Sequence, residues 1–531
     1  MKLGIQTGCC VAALIFLVII AYANSLGGQF VWDDTLLILD NKHIKSFEYI
    51  RNIFKEDLFH MSDMPTGYYR PAQVISYMFD YALWGQMSFG YHIANVILNV
   101  LNCILVFYLC LAVFNDRNKS LFVAAVFGVH PAFVPIVSYI SGRADLLGMF
   151  FSLLLIYLVI RYGAYGKGKI VAFLAIPLYG LALVSKEYYV IAPLFIWLYM
   201  LFFNIDTERK KFLKNILIVM LFETIFYAVL RDTILNFHQS MGIIAEQPFF
   251  VRLAIFPWIL KNYIVTLIAP IDLSMEKKLV YSSFFEARFV VSYLFPAVIA
   301  LVFYYLGKTK RKTELFWLSW FMVGIMPVCN LIFPLKAIWA DHWAYMASIG
   351  FFAFLISIIS GWKAFKDNMA VKKILLFAGM AFVLFIAAIT IKENSFWRNE
   401  ETLYSRILAK NPDSARIIYN QGKVYEEKGE LAKALESYNT AINMSLDSKA
   451  QYFNARGMLH KTLGNKEKAV SDFEAAVNGA PSVALYRNNL GCIYAEMDRI
   501  EDARREWEKT LEIDPQDELA SKNLALIGGK R

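Results

Sequence analysis

Charge is what this sequence has least of. Of its 531 residues, 18% are Asp, Glu, Lys or Arg, against 58% apolar and 16% aromatic. A soluble chain of that length divides into several domains and carries more charge. Here the uncharged stretches run on to about 20 residues, the length a helix needs to cross ~30 Å of hydrocarbon. Cysteine is also scarce. None of the six stands in a C-x-x-C pair. Cys9, Cys10, Cys103, Cys110 and Cys329 fall in apolar runs and Cys492 in a repeat helix, so neither a disulfide framework nor a zinc site is expected. The net charge of +9 does not point to nucleic acid, because the basic residues sit in short clusters between apolar runs.

What is present is a series of spans. They read as 7–26, 91–114, 121–140, 146–160, 170–185, 190–203, 216–230, 289–306, 315–333, 343–359 and 374–391, about eleven transmembrane helices. The first run continues past Ala21-Tyr22-Ala23, where a signal peptide would be cleaved, and reads as a span. The basic clusters at 116–119, 161–169, 208–214, 308–312 and 363–373 all fall on the cytoplasmic side if Lys2 does. That holds only if the apolar run 251–269 does not cross once. Arg252, Pro257 and Lys261 within it suit a helix on the lipid surface. The loop 27–90 and everything after Ile391 then lie outside the cytoplasm.

From Ser395 onward the charge rises and a repeat begins. Gly422, Gly457 and Gly491 recur, followed by Ala434, Ala469 and Ala503, then by Tyr438, Phe473 and Trp507; Pro481 and Pro515 close two of the units. This is the spacing of the tetratricopeptide repeat (TPR), a helix–turn–helix unit that stacks into a solenoid. The repeats read as 415–449, 450–483 and 484–517, with half a unit before them and a capping helix over 518–527. The chain therefore divides into a membrane domain, 1–394, and a TPR domain, 395–531. A TPR surface binds peptide or protein, and nothing in it suggests chemistry.

The expected topology brings charged residues from separate loops to one non-cytoplasmic face: Asp33, Asp34, Arg70, Arg143, Asp145, Lys186, Glu187, Asp341 and His342. Charge beside a span is costly and marks candidate function. Adjacent carboxylates repel, so one of Asp33-Asp34 can hold a raised pKa and act as a base. An Arg at 70 can clamp a phosphate with its planar fork. Each residue also has a plainer reading. Asp33-Asp34 would suit a loop or helix cap, Arg70 a snorkelling side chain, Arg143 and Asp145 an internal pair, Lys186-Glu187 a helix-end pair, and His92 with Asn95 a packed polar contact.

Taken in order, Phe30-Val31-Trp32-Asp33-Asp34, Tyr69-Arg70-Pro71, Trp84-Gly85, His92 with Asn95, His130-Pro131, Gly142-Arg143-Ala144-Asp145 and Lys186-Glu187, followed by TPRs, resemble the transmembrane and tetratricopeptide-repeat O-mannosyltransferases and their prokaryotic relatives. Ile271-Asp272-Leu273-Ser274 and the segment from Ala340 to Gly350 are similar to later segments of that family. The resemblance implies an all-α, GT-C-like membrane glycosyltransferase domain. It implies a hexose, mannose favoured, carried on a polyprenyl phosphate, and transfer to protein Ser or Thr hydroxyls outside the cytoplasm. It implies Asp33 as the catalytic base, with Asp34 beside it. Arg70, Arg143, Asp145, Lys186, Glu187, His342 and His92 would bind donor phosphate and sugar. No spacing demands a metal, although the family leaves room for a divalent ion that Asp33 and His92 would help to hold.

Three departures stand out. Pro135 and Asp341-His342 replace the family's Glu and Glu-Arg, and Ala347 replaces a Pro. A competing enzyme class, the O-antigen ligases and polymerases, carries its long external loop late in the membrane domain, whereas here it comes early. An inactive membrane-anchored TPR scaffold needs one span, not eleven. The expected partners are membrane lipid, the lipid-linked sugar and, through the TPRs, an acceptor or partner protein. The expected setting is a bacterial inner membrane with periplasmic repeats, or in a eukaryote the endoplasmic reticulum with the repeats in its lumen.

Overall fold

The computed structural model describes residues 2–60, 66–162, 168–235, 237, 248–275, 277, 286–332, 334–335, 337–363, 367–445 and 449–528. Parts of the expected basic clusters at 161–169 and 363–373 lie outside the described residues, as do three residues near the end of the first repeat. Among the described residues every regular element is helical. Two compact units form, one from Met1–Phe59 with Thr66–Asn399, the other from His60–Pro65 with Glu400–Arg531.

The first unit is built from apolar helices. Eight are long and apolar enough to cross a membrane among the described residues, among them Gln6–Gly27, Ser88–Phe114, Ile140–Tyr162 and Met369–Phe396. The expected span 121–140 is a bent pair, Arg117–Gly128 and Pro131–Val137, meeting at 47°. Pro131 explains the break, since it has no N–H and its ring cannot continue the preceding turn. The His130 side chain accepts from Ala132 N across it. Three other expected spans are shorter helices, Gly168–Leu183, Glu187–Phe202 and Lys312–Ile325.

Phe249–Ile268 forms one regular helix with the length and composition of a span. Its contacts run along its length: Tyr293 Oη donates to Ala254 O at 3.0 Å, and the Trp258 and Phe289 ring centroids lie 5.8 Å apart. Arg252 donates to Asn330 O at 3.5 Å, and Tyr263 to Val328 O at 3.2 Å. Trp258 and Tyr263 both meet Trp339 edge-on. Thr266 reaches Asp341, and Leu267 O lies 3.2 Å from His130 Nε2. Trp339 and Asp341 sit in the connection after the expected span 315–333, Val328 and Asn330 at the end of that span, and His130 within the expected span 121–140. Through Thr266 the helix packs beside Asp341 and so supplies a wall to the late-motif end of the site.

The second unit is a stack of helical pairs: Ala415–Glu427 with Leu431–Met444, Ala450–Thr462 with Lys466–Gly479, and Ala484–Glu496 with Ile500–Ile513. Glu400–Lys410 precedes them and Glu518–Gly528 follows. Each repeat glycine lies beneath the aromatic of its own pair. A Cβ at Gly422, Gly457 or Gly491 would come 2.7, 2.9 or 2.6 Å from Tyr438, Phe473 or Trp507. That close approach accounts for the spacing of the sequence repeat.

Candidate functional site

The loop after the first helix carries the paired carboxylates. Trp32 has φ 55°, a left-handed conformation that an aromatic residue rarely adopts and that redirects the chain just before them. The two side chains then part. Asp34 is fully buried. Its Oδ2 accepts from Val31 N at 3.1 Å; its Oδ1 accepts from Ser141 N at 2.9 Å and Ser141 Oγ at 2.5 Å. It pins the acidic loop to the turn before helix Arg143–Tyr162. Burial pushes its carboxyl up to about 7 against the pull of these bonds. Asp33 is partly exposed, and its backbone N–H donates to Tyr139 Oη at 3.2 Å. Asp33 is the more exposed of the pair.

Arg70 precedes helix Pro71–Trp84. Its guanidinium lies 4.5 Å from the Tyr68 ring centroid and donates to Glu187 Oε2 at 3.2 Å. A second guanidinium, Arg231, stands 3.9 Å from Glu187 Oε1 and donates to Gly67 O at 3.0 Å. Glu187 therefore holds two arginines side by side. Burial raises the Tyr68 phenol, and its neighbours Arg70, Glu187, Asp33 and Arg231 all act on it electrostatically. The acidic loop and the arginine pair thus share one field.

Lys186 Nζ lies 2.7 Å from both carboxylate oxygens of Asp145. Asp145 also acts electrostatically on Arg70 and on the half-buried His342. Asp341, buried beside His342, accepts from Ser274 N at 3.0 Å and Thr266 Oγ1 at 3.4 Å. Lys277 Nζ lies 3.3 Å from it and 4.7 Å from the Trp339 ring centroid. This places the Ile271–Ser274 loop against the late motif. Asp33, Arg70, Asp145, Lys186, Glu187 and His342, far apart in sequence, are gathered at one end of the bundle.

Two expected site residues are placed elsewhere. Arg143 is buried and turned into the packing. Its Nε meets Asn95 Oδ1, Nη1 donates to Ser76 Oγ at 3.3 Å, and Nη2 donates to Tyr91 O at 2.9 Å and pairs with Asp80 at 2.8 Å. No edge of this guanidinium is left for a phosphate. The plainer reading, an internal Arg143–Asp145 pair, does not form either, since Asp145 goes to Lys186 and Arg143 to Asp80. The His92 ring is buried against Gly28, where a Cβ would come 2.9 Å from its Nε2. It packs the start of the acidic loop onto helix Ser88–Phe114.

Sequence reasoning missed Arg231, Asp80 and Lys277. Arg231 closes an expected span, and its position, a charge at the non-cytoplasmic end of an apolar run, was the available signal. Asp80 and Lys277 carried no such mark.

A tetratricopeptide-repeat family model matches residues 401–450 and 454–518. The chain is related over most of its length to protein O-mannosyl-transferases. It is 24% identical to the mouse (Mus musculus) protein O-mannosyl-transferase TMTC3 over 95% of this chain and 60% of that protein. It is 26% identical to the Caenorhabditis elegans protein O-mannosyl-transferase F38B6.6 over 81% of this chain and 62% of that one. The chain thus spans about 60% of the length of these curated relatives. Among solved structures, the Archaeoglobus fulgidus oligosaccharyltransferase in its apo form aligns with 74% of this chain and 55% of its own, at 12% identity and TM-score 0.39.

Proposed function

We propose that the chain is a membrane glycosyltransferase of GT-C type that moves a hexose, mannose favoured, from a polyprenyl-phosphate donor to Ser or Thr hydroxyls of protein on the non-cytoplasmic face. The parting of Asp33 from Asp34 is the observation that carries this reading. One carboxylate is buried to fix the loop, and its neighbour is partly exposed at the end of the bundle where Arg70, Arg231 and Lys186 also gather. The relatives named above support protein O-mannosylation as the reaction class.

In this mechanism Asp33 takes the proton from the acceptor hydroxyl. The hydroxyl oxygen attacks the anomeric carbon, the bond from that carbon to the phosphate oxygen breaks, and the lipid phosphate leaves with the electron pair. Negative charge grows on the phosphate, so a fixed cation beside it stabilises the transition state more than the ground state. Arg70 and Arg231, held by Glu187, and Lys186, held by Asp145, are the cations for that task. His342 stands beside the last pair. Asp34 keeps the loop in register. One displacement of this kind inverts the anomeric centre. The repeats engage the acceptor or a partner protein. The setting is a bacterial inner membrane with the repeats in the periplasm.

Transfer of radiolabelled mannose from a polyprenyl-phosphate donor to protein tests this reading, in membranes holding wild type or Asp33→Asn at equal abundance. Wild-type signal falling by ~10²–10⁴ in the variant is expected for loss of a general base. Transfer that survives Asp33→Asn removes Asp33 from the chemistry, and silence of the wild type across several donor sugars overturns the transferase itself.

A further inference from the structure

The bundle has a second polar cavity at its other end. Helix Ser88–Phe114 joins the two places. Tyr91 and Asn95, near its start, hold Arg143 beneath the candidate site. Phe114, its last residue, lines the cavity. At 1.5 Å per residue the two ends stand roughly 34 Å apart. The cavity holds about 390 Å³ and is lined by Lys119, Arg311, Glu314, Ser357 and Gly361, among others.

Its two cations come from two of the basic segments expected to face the cytoplasm, Lys119 from 116–119 and Arg311 from 308–312. The structure brings the ends of their helices together. Arg311 pairs with Glu314 at 2.6 Å, and Ser357 Oγ donates to the same Glu314 oxygen at 3.2 Å. Glu314 is thereby occupied, and Arg311 is held at the cavity with Nη2 beside Gly361. The Lys119 ammonium lies 5.7 Å from the Phe114 ring centroid and has no anionic partner among the described residues. Helix Lys312–Ile325 starts here with no side chain capping its first N–H groups, which favours an anion at this spot. Gly361 leaves the space open, since a Cβ there would come 2.7 Å from Arg311 Nη2.

The depth of the cavity decides what fills it. Trp362, next to Gly361, is 61% exposed, and Tyr304 and Tyr305, just before Lys308, are 69% and 57% exposed. Tryptophan and tyrosine on the outer face of a bundle mark the headgroup level of a bilayer. We infer that this cavity binds the phosphate of an anionic lipid headgroup from the cytoplasmic leaflet, with Lys119 and Arg311 as its cations and Gly361 as the opening. Basic pockets between helices at this level take such headgroups. The site is separate from the transfer chemistry and stands whether or not the chain is a transferase.

Titration of phosphatidylglycerol into the purified full chain in neutral detergent, read as the thermal midpoint, tests the inference. Phosphatidylglycerol is expected to raise the wild-type midpoint and phosphatidylcholine to leave it unchanged. Lys119→Gln should weaken the apparent affinity about five-fold, the worth of one basic contact. Gly361→Val, which fills the opening without removing charge, should abolish the response. Both variants are compared in phosphatidylcholine first, and either one that matches wild type there suffices. An undiminished phosphatidylglycerol response in such a variant overturns the site. Equal stabilisation by glycerol 3-phosphate or inorganic phosphate overturns the lipid as its occupant.

Discussion

Arg143 and Asp80 form an ion pair at 2.8 Å with side-chain exposures of 2% and 10%. The pair ties helix Pro71–Trp84 of the external loop to helix Arg143–Tyr162 of the bundle. A buried charge that loses its partner is far costlier than the pair is favourable. Arg143→Met should therefore destabilise the chain by about 3–5 kcal/mol, whereas Arg143→Met with Asp80→Leu should recover most of that loss. Thermal unfolding of the purified variants checks this. A single variant as stable as wild type would show that the pair does not hold the loop.

Asp34 gives a signed pH effect. Its carboxyl keeps a proton to about pH 7 in the folded chain, because burial disfavours the charge, and releases it near the ordinary carboxylate pKa when unfolded. Between those two values the folded state binds more protons, so stability falls as pH rises toward 7 and levels off above it. Asp34→Asn should remove this contribution. The check is the thermal midpoint from pH 5 to 8. The difference between wild type and variant should shift steadily against the wild type up to about pH 7. A difference independent of pH would mean that Asp34 stays ionised throughout.

Much of this was legible in the sequence, for identifiable reasons. Span positions follow from local hydropathy, and the repeats from a period set by glycine beneath an aromatic. The gathering of Arg70, Asp145, Lys186, Glu187 and His342 follows from sidedness alone. What sequence could not supply was partner choice. Arg143 lies two residues from Asp145 yet pairs with Asp80, 63 residues away, because residues two apart on helix Arg143–Tyr162 do not share a face. Nor could it say which of Asp33 and Asp34 is buried. That depends on Trp32 and Ser141, one adjoining the pair and the other 107 residues on.

In the repeats, Gly457 faces Phe473 across its own helical pair. Gly457→Val forces the two helices apart, and overpacking of this kind costs about 1–3 kcal/mol. Repeat stability is carried by neighbours, so the loss should stay in the solenoid. Limited trypsin digestion of the full chain should cut within 450–483 about ten-fold faster, with the apolar unit's cleavage pattern unchanged. Unaltered cleavage would show that the aromatic can move aside.

On the function proposed above, the arginine pair is the group that would hold the donor phosphate. Glu187 sits between Arg70 and Arg231, 3.2 and 3.9 Å away, and Tyr68 backs the Arg70 guanidinium. Lysine keeps the charge but lacks the planar fork and stacks poorly on an aromatic face. Arg70→Lys should then raise the KM for the polyprenyl-phosphate sugar about ten-fold, with kcat changed less. Glu187→Gln removes the carboxylate that aligns both guanidinium groups, so it should lower kcat more than it raises KM, because misaligned cations still attract the donor but no longer meet the charge that grows as the bond breaks. The two variants separate attraction from alignment. If both change KM alone, the arginines bind the donor without stabilising the leaving phosphate. If neither changes KM nor kcat, the phosphate is held by Lys186 and not by this pair.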